Sequence, residues 1–293
     1  MKIKRSLGEK VFDAANVVFL LLVCLLVIIP VLHVIAGSFS ETNALIHSKV
    51  GLWPVGFNVD NYIIVFESKP FWRAFGITGL VVVIGTILNL VITVFTAYPL
   101  SKAYLKWRKY FILFVIVTMI FQAPMIPTYL LIKYLDLLNS IWALIIPSAL
   151  SAFNMILCVT FFRALPEELF EAARVDGMSE YRVVWSIALP LSKPILITLL
   201  LFYAVGHWNN YYSALLYIND SAIRPLQLYL YMLLAQYNTS DYQSSMSSLI
   251  SFDISPQGLQ MATIIVATLP IVIIYPFVQK HFLKGAMLGS LKE

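Results

Sequence analysis

Along the chain, apolar positions gather into six stretches without Asp, Glu, Lys or Arg, at 17–37, 76–100, 110–132, 141–162, 195–217 and 259–278. At roughly 1.5 Å of helical rise per residue, each is long enough for the ~30 Å hydrocarbon core of a bilayer. None alternates with the period of two that a barrel strand needs, and a backbone in lipid must satisfy its own hydrogen bonds. The pattern predicts an all-α membrane protein with six transmembrane helices in a single transmembrane domain, 1–293. Lys2, Lys4 and Arg5 precede the first run as they would in a secretory signal. That run is too long for a usual signal core, and no small-x-small cleavage site is followed by a soluble domain, so it reads as a retained first span.

The polar segments between the runs differ in basic charge. Counted alternately, one set of segments holds fifteen of the 20 Lys and Arg, and the other holds only Lys49, Lys69, Arg73, Lys133 and Arg224. The positive-inside rule then predicts that both termini are cytoplasmic. Topology accounts for the net charge of +5, and no clustered basic domain points to nucleic acid. Cys24 and Cys158 lie inside apolar runs without metal-ligand spacing and read as small packing residues.

Within the runs, Pro124, Pro127, Pro147, Pro270 and Pro276 each remove a helix hydrogen bond and predict kinks. Broken helices occur beside translocation pathways and in inert bundles alike. The segment 38–75, with Trp53, Tyr62, Phe66, Phe71 and Trp72, suits an interfacial belt or a docked partner. The Ser-rich part of 218–257 suits a disordered connector or an external arm. At the C-terminal end, Gly285 and Gly289 permit tight turns in a basic tail.

The interruption between the fourth and fifth runs is the most structured polar segment. Pro166 suits a first helical position, Glu167, Glu168 and Glu171 favour the positive end of a helix dipole, and Gly177 suits a left-handed stop, predicting a helix over 166–176. Its adjacent Ala172 and Ala173 allow close approach to another surface, with Leu169, Phe170 and Val175 as apolar contacts. Ser179 suits the cap of a second helix, which Pro190 and Pro194 are expected to break.

Glu171-Ala172-Ala173, three residues, Gly177, nine residues, Ile187, one residue, Leu189-Pro190 resembles the EAA loop of binding-protein-dependent ABC importer permeases. The resemblance extends over 71–283 and is strongest to the carbohydrate-import branch, including maltose-type second permeases and polysaccharide permeases. It implies a type I importer (MetI-like) permease bundle in the bacterial cytoplasmic (inner) membrane. It also implies that 164–194 is the ATPase-coupling loop, carried by Glu171, Ala172, Ala173, Asp176, Gly177, Ile187, Leu189 and Pro190. The implied partners are a second homologous permease, a P-loop ATPase dimer and an extracytoplasmic solute-binding protein. The chain has no Gly-x-x-x-x-Gly-Lys-Ser/Thr loop to cradle phosphates. No cofactor is therefore expected on this chain, and ATP and Mg belong to the partner ATPase.

Polar residues inside apolar runs are costly unless they face protein or water, so Trp208, Asn209, Tyr211 and Tyr212 are candidates for a substrate path. Gln122 and Asn154 are further candidates, each also suited to an interhelical hydrogen bond. Aromatic faces and amides match the apolar C–H faces and hydroxyls of sugars. Oligosaccharide, neutral or acidic, such as an alginate or pectin fragment, is the expected substrate class; a non-sugar solute is the alternative. An ion-coupled secondary transporter is disfavoured, since the runs contain no Asp or Glu and only His33 and His207 titrate near neutrality. An intramembrane enzyme is disfavoured too, because neither His-Glu-x-x-His nor Gly-x-Ser-x-Gly occurs.

Overall fold

The computed structural model describes residues 7–121, 123–237 and 255–290, and all regular structure among them is helical. The chain divides into two compact units, residues 1–69 with 232–268 and residues 70–231 with 269–293.

In the first unit, α1 (Leu7–Ser38) leaves Leu20, Leu26 and Ile28 exposed, and its buried residues begin only at Ala36. Such a surface is stable only in lipid. The chain then folds back through α2 (Thr42–Ile46) and α3 (Asp60–Glu67). Ser38 Oγ and the Tyr62 hydroxyl share a 2.7 Å hydrogen bond, and Phe39 stacks on Tyr62 with ring centroids 4.7 Å apart. The segment after the first span is thus folded against the end of α1, and only part of the expected 38–75 loop is loop. Phe71 and Trp72 already belong to α4 (Lys69–Ser101), which starts before the apolar run does.

The second unit contains most of α4, then α5 (Arg108–Ile120), α6 (Met125–Tyr134), α7 (Trp142–Ile145) with a 3₁₀ turn at Ile146–Ser148, and α8 (Ala152–Arg163). After α8 come α9 (Glu167–Val175), α10 (Glu180–Val183), a π turn over Val184–Ala188, α11 (Leu189–Leu191), α12 (Lys193–Trp208) and α13 (Tyr212–Tyr217). Two last helices, α14 (Leu226–Tyr237) and α15 (Pro256–Ser290), contribute residues to both units.

Three described helices, α1, α4 and α15, are each long and apolar enough to cross a membrane, and three bent pairs match that requirement jointly. Pro124 caps α6 at a break following α5, and Pro147 sits in the 3₁₀ turn where the path bends 49° into α8. Pro270 and Pro276 lie inside α15, which also includes Gly285 and Gly289, so the expected tight turns of the tail are helix instead. The expected 195–217 span is divided as well: α12 stops at Trp208, and α13 begins four residues later.

The interior of this unit joins α4, α8 and α12 to the α9–α10 segment. Val94, Ala97 and Tyr98 pack with Met155, Cys158 and Phe162, with Phe170, Ala173, Val183 and Ala188, and with Ile195, Leu199 and Tyr203. Small side chains at Ala97, Cys158, Ala173 and Ala188 allow close backbone approach, the usual basis of helix packing where lipid supplies no hydrophobic drive. Polar cross-ties complete it: the Thr93 and Tyr203 hydroxyls lie 2.6 Å apart, and the Leu226 N–H donates to Thr78 Oγ1 at 2.8 Å.

Candidate functional site

The first candidate region runs from α9 to the start of α12. Pro166 takes the cap position of α9, and Glu167 and Glu168 occupy the first turn, where negative charge favours a helix start. The helix stops in a Schellman arrangement: the Gly177 N–H donates to Arg174 O and the Met178 N–H to Ala173 O, both at 3.0 Å. Gly177 has φ +74°, which glycine adopts without Cβ strain. Ser179 then caps α10, its side chain accepting from the Arg182 N–H.

The motif residues do not all point the same way. Phe170 (1% exposed) and Ala173 (4%) face the interior of the unit, three residues apart on one helix face. Leu169, Glu171, Ala172, Val175 and Asp176 are exposed. Phe170 and Ala173 are therefore internal packing residues, which corrects their expected place on an outward docking face. Ile187 and Leu189 are half-buried against the same interior. Pro190, exposed, sits in the first turn of the short α11 after the π turn, the helix ends at Leu191, and the axis bends 85° at Ser192 into α12, whose first turn holds Pro194; the expected break between the two prolines is thus where the chain turns.

Charge fixes the inward face of α9 to the end of α4. The Lys102 side chain is 2% exposed; its ammonium donates to Glu167 Oε2 at 3.1 Å and lies 3.3 Å from the centroid of the Phe170 ring. Burial pulls its pKa below the ordinary lysine value even with Glu167 beside it. Arg174 Nε donates to Glu180 Oε1 at 3.3 Å, and the Tyr98 and Tyr104 hydroxyls donate to the same carboxylate at 3.0 and 3.2 Å. The Arg174 guanidinium also stands 4.7 Å over the Tyr104 ring.

The second region is a cleft of about 720 Å³ beside α12, mostly apolar, with Phe153, Phe202 and Trp208 in its walls and Ser151, Asn154 and Asn209 as polar points. Trp208 meets Phe75 edge-on at 5.6 Å, and its Nε1 has no hydrogen-bond partner among the described residues. Ser151, Asn154, Phe202 and Gly206 also line a smaller recess of about 260 Å³, which adds Asn89, Ser148, His207 and Asn210. Here the Asn89 Nδ2–H donates to Ser148 O at 2.9 Å, which leaves Oδ1 as a buried acceptor without a partner among the described residues. His207 Nε2 is likewise unpartnered there, and Gly85 lies so close that an added Cβ would be 2.5 Å from it.

Of the residues expected along a path, Asn154, Trp208 and Asn209 therefore meet at one cleft. Tyr211 and Tyr212 do not: Tyr211 stacks on Tyr231 at 5.5 Å, and the Tyr212 hydroxyl donates to Met125 Sδ. The turn after α12 carries both away. Gln122 and the Ser-rich residues 238–254 lie outside the described residues. Asn89 was not among the sequence candidates, although it is the one amide in the run 76–100, and a strongly polar group at that depth is itself a signal.

Residues 15–286 match the family described as binding-protein-dependent transport system inner membrane component. The chain belongs to that family. It is an inner-membrane permease component with the all-helical MetI-like fold. Protein LplC of Bacillus subtilis (strain 168) is 46% identical over 97% of this chain and 95% of its own length. The polygalacturonan/rhamnogalacturonan transport system permease protein YtcP of the same organism is 41% identical over 97% of this chain and 99% of its own. Among solved structures, a bacterial ABC transporter involved in the import of the acidic polysaccharide alginate contains a chain with a TM-score of 0.89 at 30% identity, covering 96% of this chain and 100% of that one.

Proposed function

We propose that the permease is one half of the translocation path of an ATP-driven importer of oligosaccharides or polysaccharide fragments. A second, non-identical permease supplies the other half, an external binding protein delivers the substrate, and an ATPase dimer holding ATP and Mg receives the 164–194 loop through its exposed residues. Both termini face the cytoplasm in this reading, in keeping with the basic-residue asymmetry. The observation that carries the carbohydrate assignment is the junction of the aromatic-walled cleft with a polar recess. Rings such as Phe202 and Trp208 suit the C–H faces of a pyranose, while Asn89 and Asn154 suit its hydroxyls. The names of similar permeases agree with that chemistry.

Affinity purification of the tagged chain in mild detergent tests the assembly. The expected result is co-purification of one related permease and a P-loop ATPase, with binding-protein-dependent uptake of trigalacturonate after reconstitution. A transport-competent complex with two copies of this chain and no second permease overturns the heterodimer. Uptake of a non-carbohydrate solute in place of any oligosaccharide overturns the substrate class.

A further inference from the structure

The most costly group near α9 is a lysine in the interior. An ammonium at 2% side-chain exposure has lost nearly all its water, and an apolar residue would fill the same space without that loss. What Lys102 adds is direction. Its charge is held on one side by Glu167, in the first turn of α9, and on another by the Phe170 ring one turn later. Apolar packing allows sliding, whereas an ion pair combined with a cation–π contact fixes both the position and the rotation of the helix. Lys102 directly succeeds α4, and the other ties to α9 and α10 come from the same stretch, through Tyr98 and Tyr104 to Glu180.

We infer that Lys102 is a positioning residue for coupling: it clamps the inward face of α9 to the end of α4, so that displacement of α9 is transmitted along α4 to the recess. Asn89 lies thirteen positions earlier on that helix, about 20 Å away at 1.5 Å per residue. The Arg174–Glu180 pair, with Arg174 Nη2 also 3.7 Å from Glu167, joins α9 to α10, so the segment moves with its neighbour. This role rests on α9 being the element that meets the ATPase, and the experiment separates the two ideas.

The full importer, with its partner permease, ATPase and binding protein, is reconstituted in proteoliposomes, and trigalacturonate imported per ATP hydrolysed is measured along with the KM for uptake. Lys102→Met keeps length and bulk but removes the charge; its uptake per ATP is expected to fall by about fivefold or more, the low end of ordinary coupling between sites, with KM unchanged. Lys102→Arg restores the ratio. Phe170→Leu, which removes the ring but keeps apolar burial, is expected to lower the ratio in the same direction and stands in if Lys102→Met does not assemble. Val175→Asp, on the exposed face of α9, tests the docking reading separately. A wild-type ratio in Lys102→Met, or in Phe170→Leu where the first variant fails to assemble, while Val175→Asp uncouples, overturns the clamp and keeps the docking. Parallel loss of ATPase and uptake at constant ratio also overturns it, leaving Lys102 a stabilising residue. A wild-type ratio in all variants removes both the clamp and the coupling role of α9.

Discussion

Around α9, the inward charges are matched: Lys102 meets Glu167 and Phe170, while Glu180 receives Arg174, Tyr98 and Tyr104. Arg174 Nη2 alone among them makes no hydrogen bond, and it still lies 3.7 Å from Glu167. In the recess beside α4, polar groups more deeply buried than those half-exposed carboxylates are not matched, and Asn89 Oδ1 and His207 Nε2 have no hydrogen-bond partner among the described residues. The difference separates two uses of buried polarity. A largely paired network makes a stiffer joint, because a departure from its geometry separates charges and leaves a buried ammonium such as Lys102 unpaired. An unsaturated one is costly when empty and suits a visitor that brings its own hydroxyls or water. In the proposed reading, the joint belongs to a part that transmits motion, and the open polar surface to one that exchanges its contents.

The contrast is sharpest inside the joint, between two adjacent alanines. Ala173 is 4% exposed in the shared interior, whereas Ala172 points outward. Ala173→Glu places an unpaired carboxylate among Phe170, Val183 and Val184 and is expected to cost at least about 3 kcal/mol, enough to lose folded protein. Ala172→Glu should change stability by less than about 0.5 kcal/mol and act on ATPase coupling instead. Melting temperature and monodisperse yield in detergent check both. An Ala173→Glu protein as stable as the parent would mean that α9 is not joined to the bundle through this face.

The range of an interaction decides whether it is legible in sequence. The limits of α9 were legible because they are local: Glu167 and Glu168 at its start, and Gly177 at its end with Ser179 capping the next helix, act within a few residues. Which side of α9 faces inward was not, since that depends on Lys102 and Tyr98, 65 and 82 positions from the carboxylates they meet. The break between Pro190 and Pro194 was legible for the same reason as the limits of α9, since a proline acts on its own turn, whereas the π turn before it carried no local signal. The spans were legible from hydrophobic length, but the stop of α12 at Trp208 was not, because residues 209–211 are no less span-like than their neighbours by charge alone. The recess draws on α4, residues 148–154 and α12 together, so its members could be picked only one at a time, as Asn154 was and Asn89, the one amide of its run, could have been.

At the edge of the recess, Gly85 tests whether the imidazole position matters. A methyl group there would stand 2.5 Å from His207 Nε2, with two further ring atoms at 2.7 and 2.9 Å. Gly85→Ala must displace either the ring or α4, at an expected cost of about 1–3 kcal/mol. The measurement is melting temperature together with the KM for trigalacturonate uptake. An unchanged KM with a lowered melting temperature would assign His207 to packing and shrink the functional recess to Asn89, Asn154 and their neighbours.

Asn89→Leu should have the smallest effect on stability and bears most directly on the unmatched side of the comparison. Replacing the amide removes its bond to Ser148 O, worth about 1 kcal/mol, and at the same time removes the buried Oδ1 that has no partner among the described residues. These changes oppose each other, so stability should stay within about 1 kcal/mol of the parent. Uptake should not: if a sugar hydroxyl donates to Oδ1, losing that acceptor raises KM by up to about tenfold, the equivalent of one hydrogen bond near 1.4 kcal/mol. Because an amide oxygen accepts from hydroxyls and repels carboxylates, the rise should be equal for trigalacturonate and for its methyl ester. A selective change for the charged form would show that the recess senses the carboxylate, and an unchanged KM for both would leave Asn89 as a tether between α4 and the turn at Ser148.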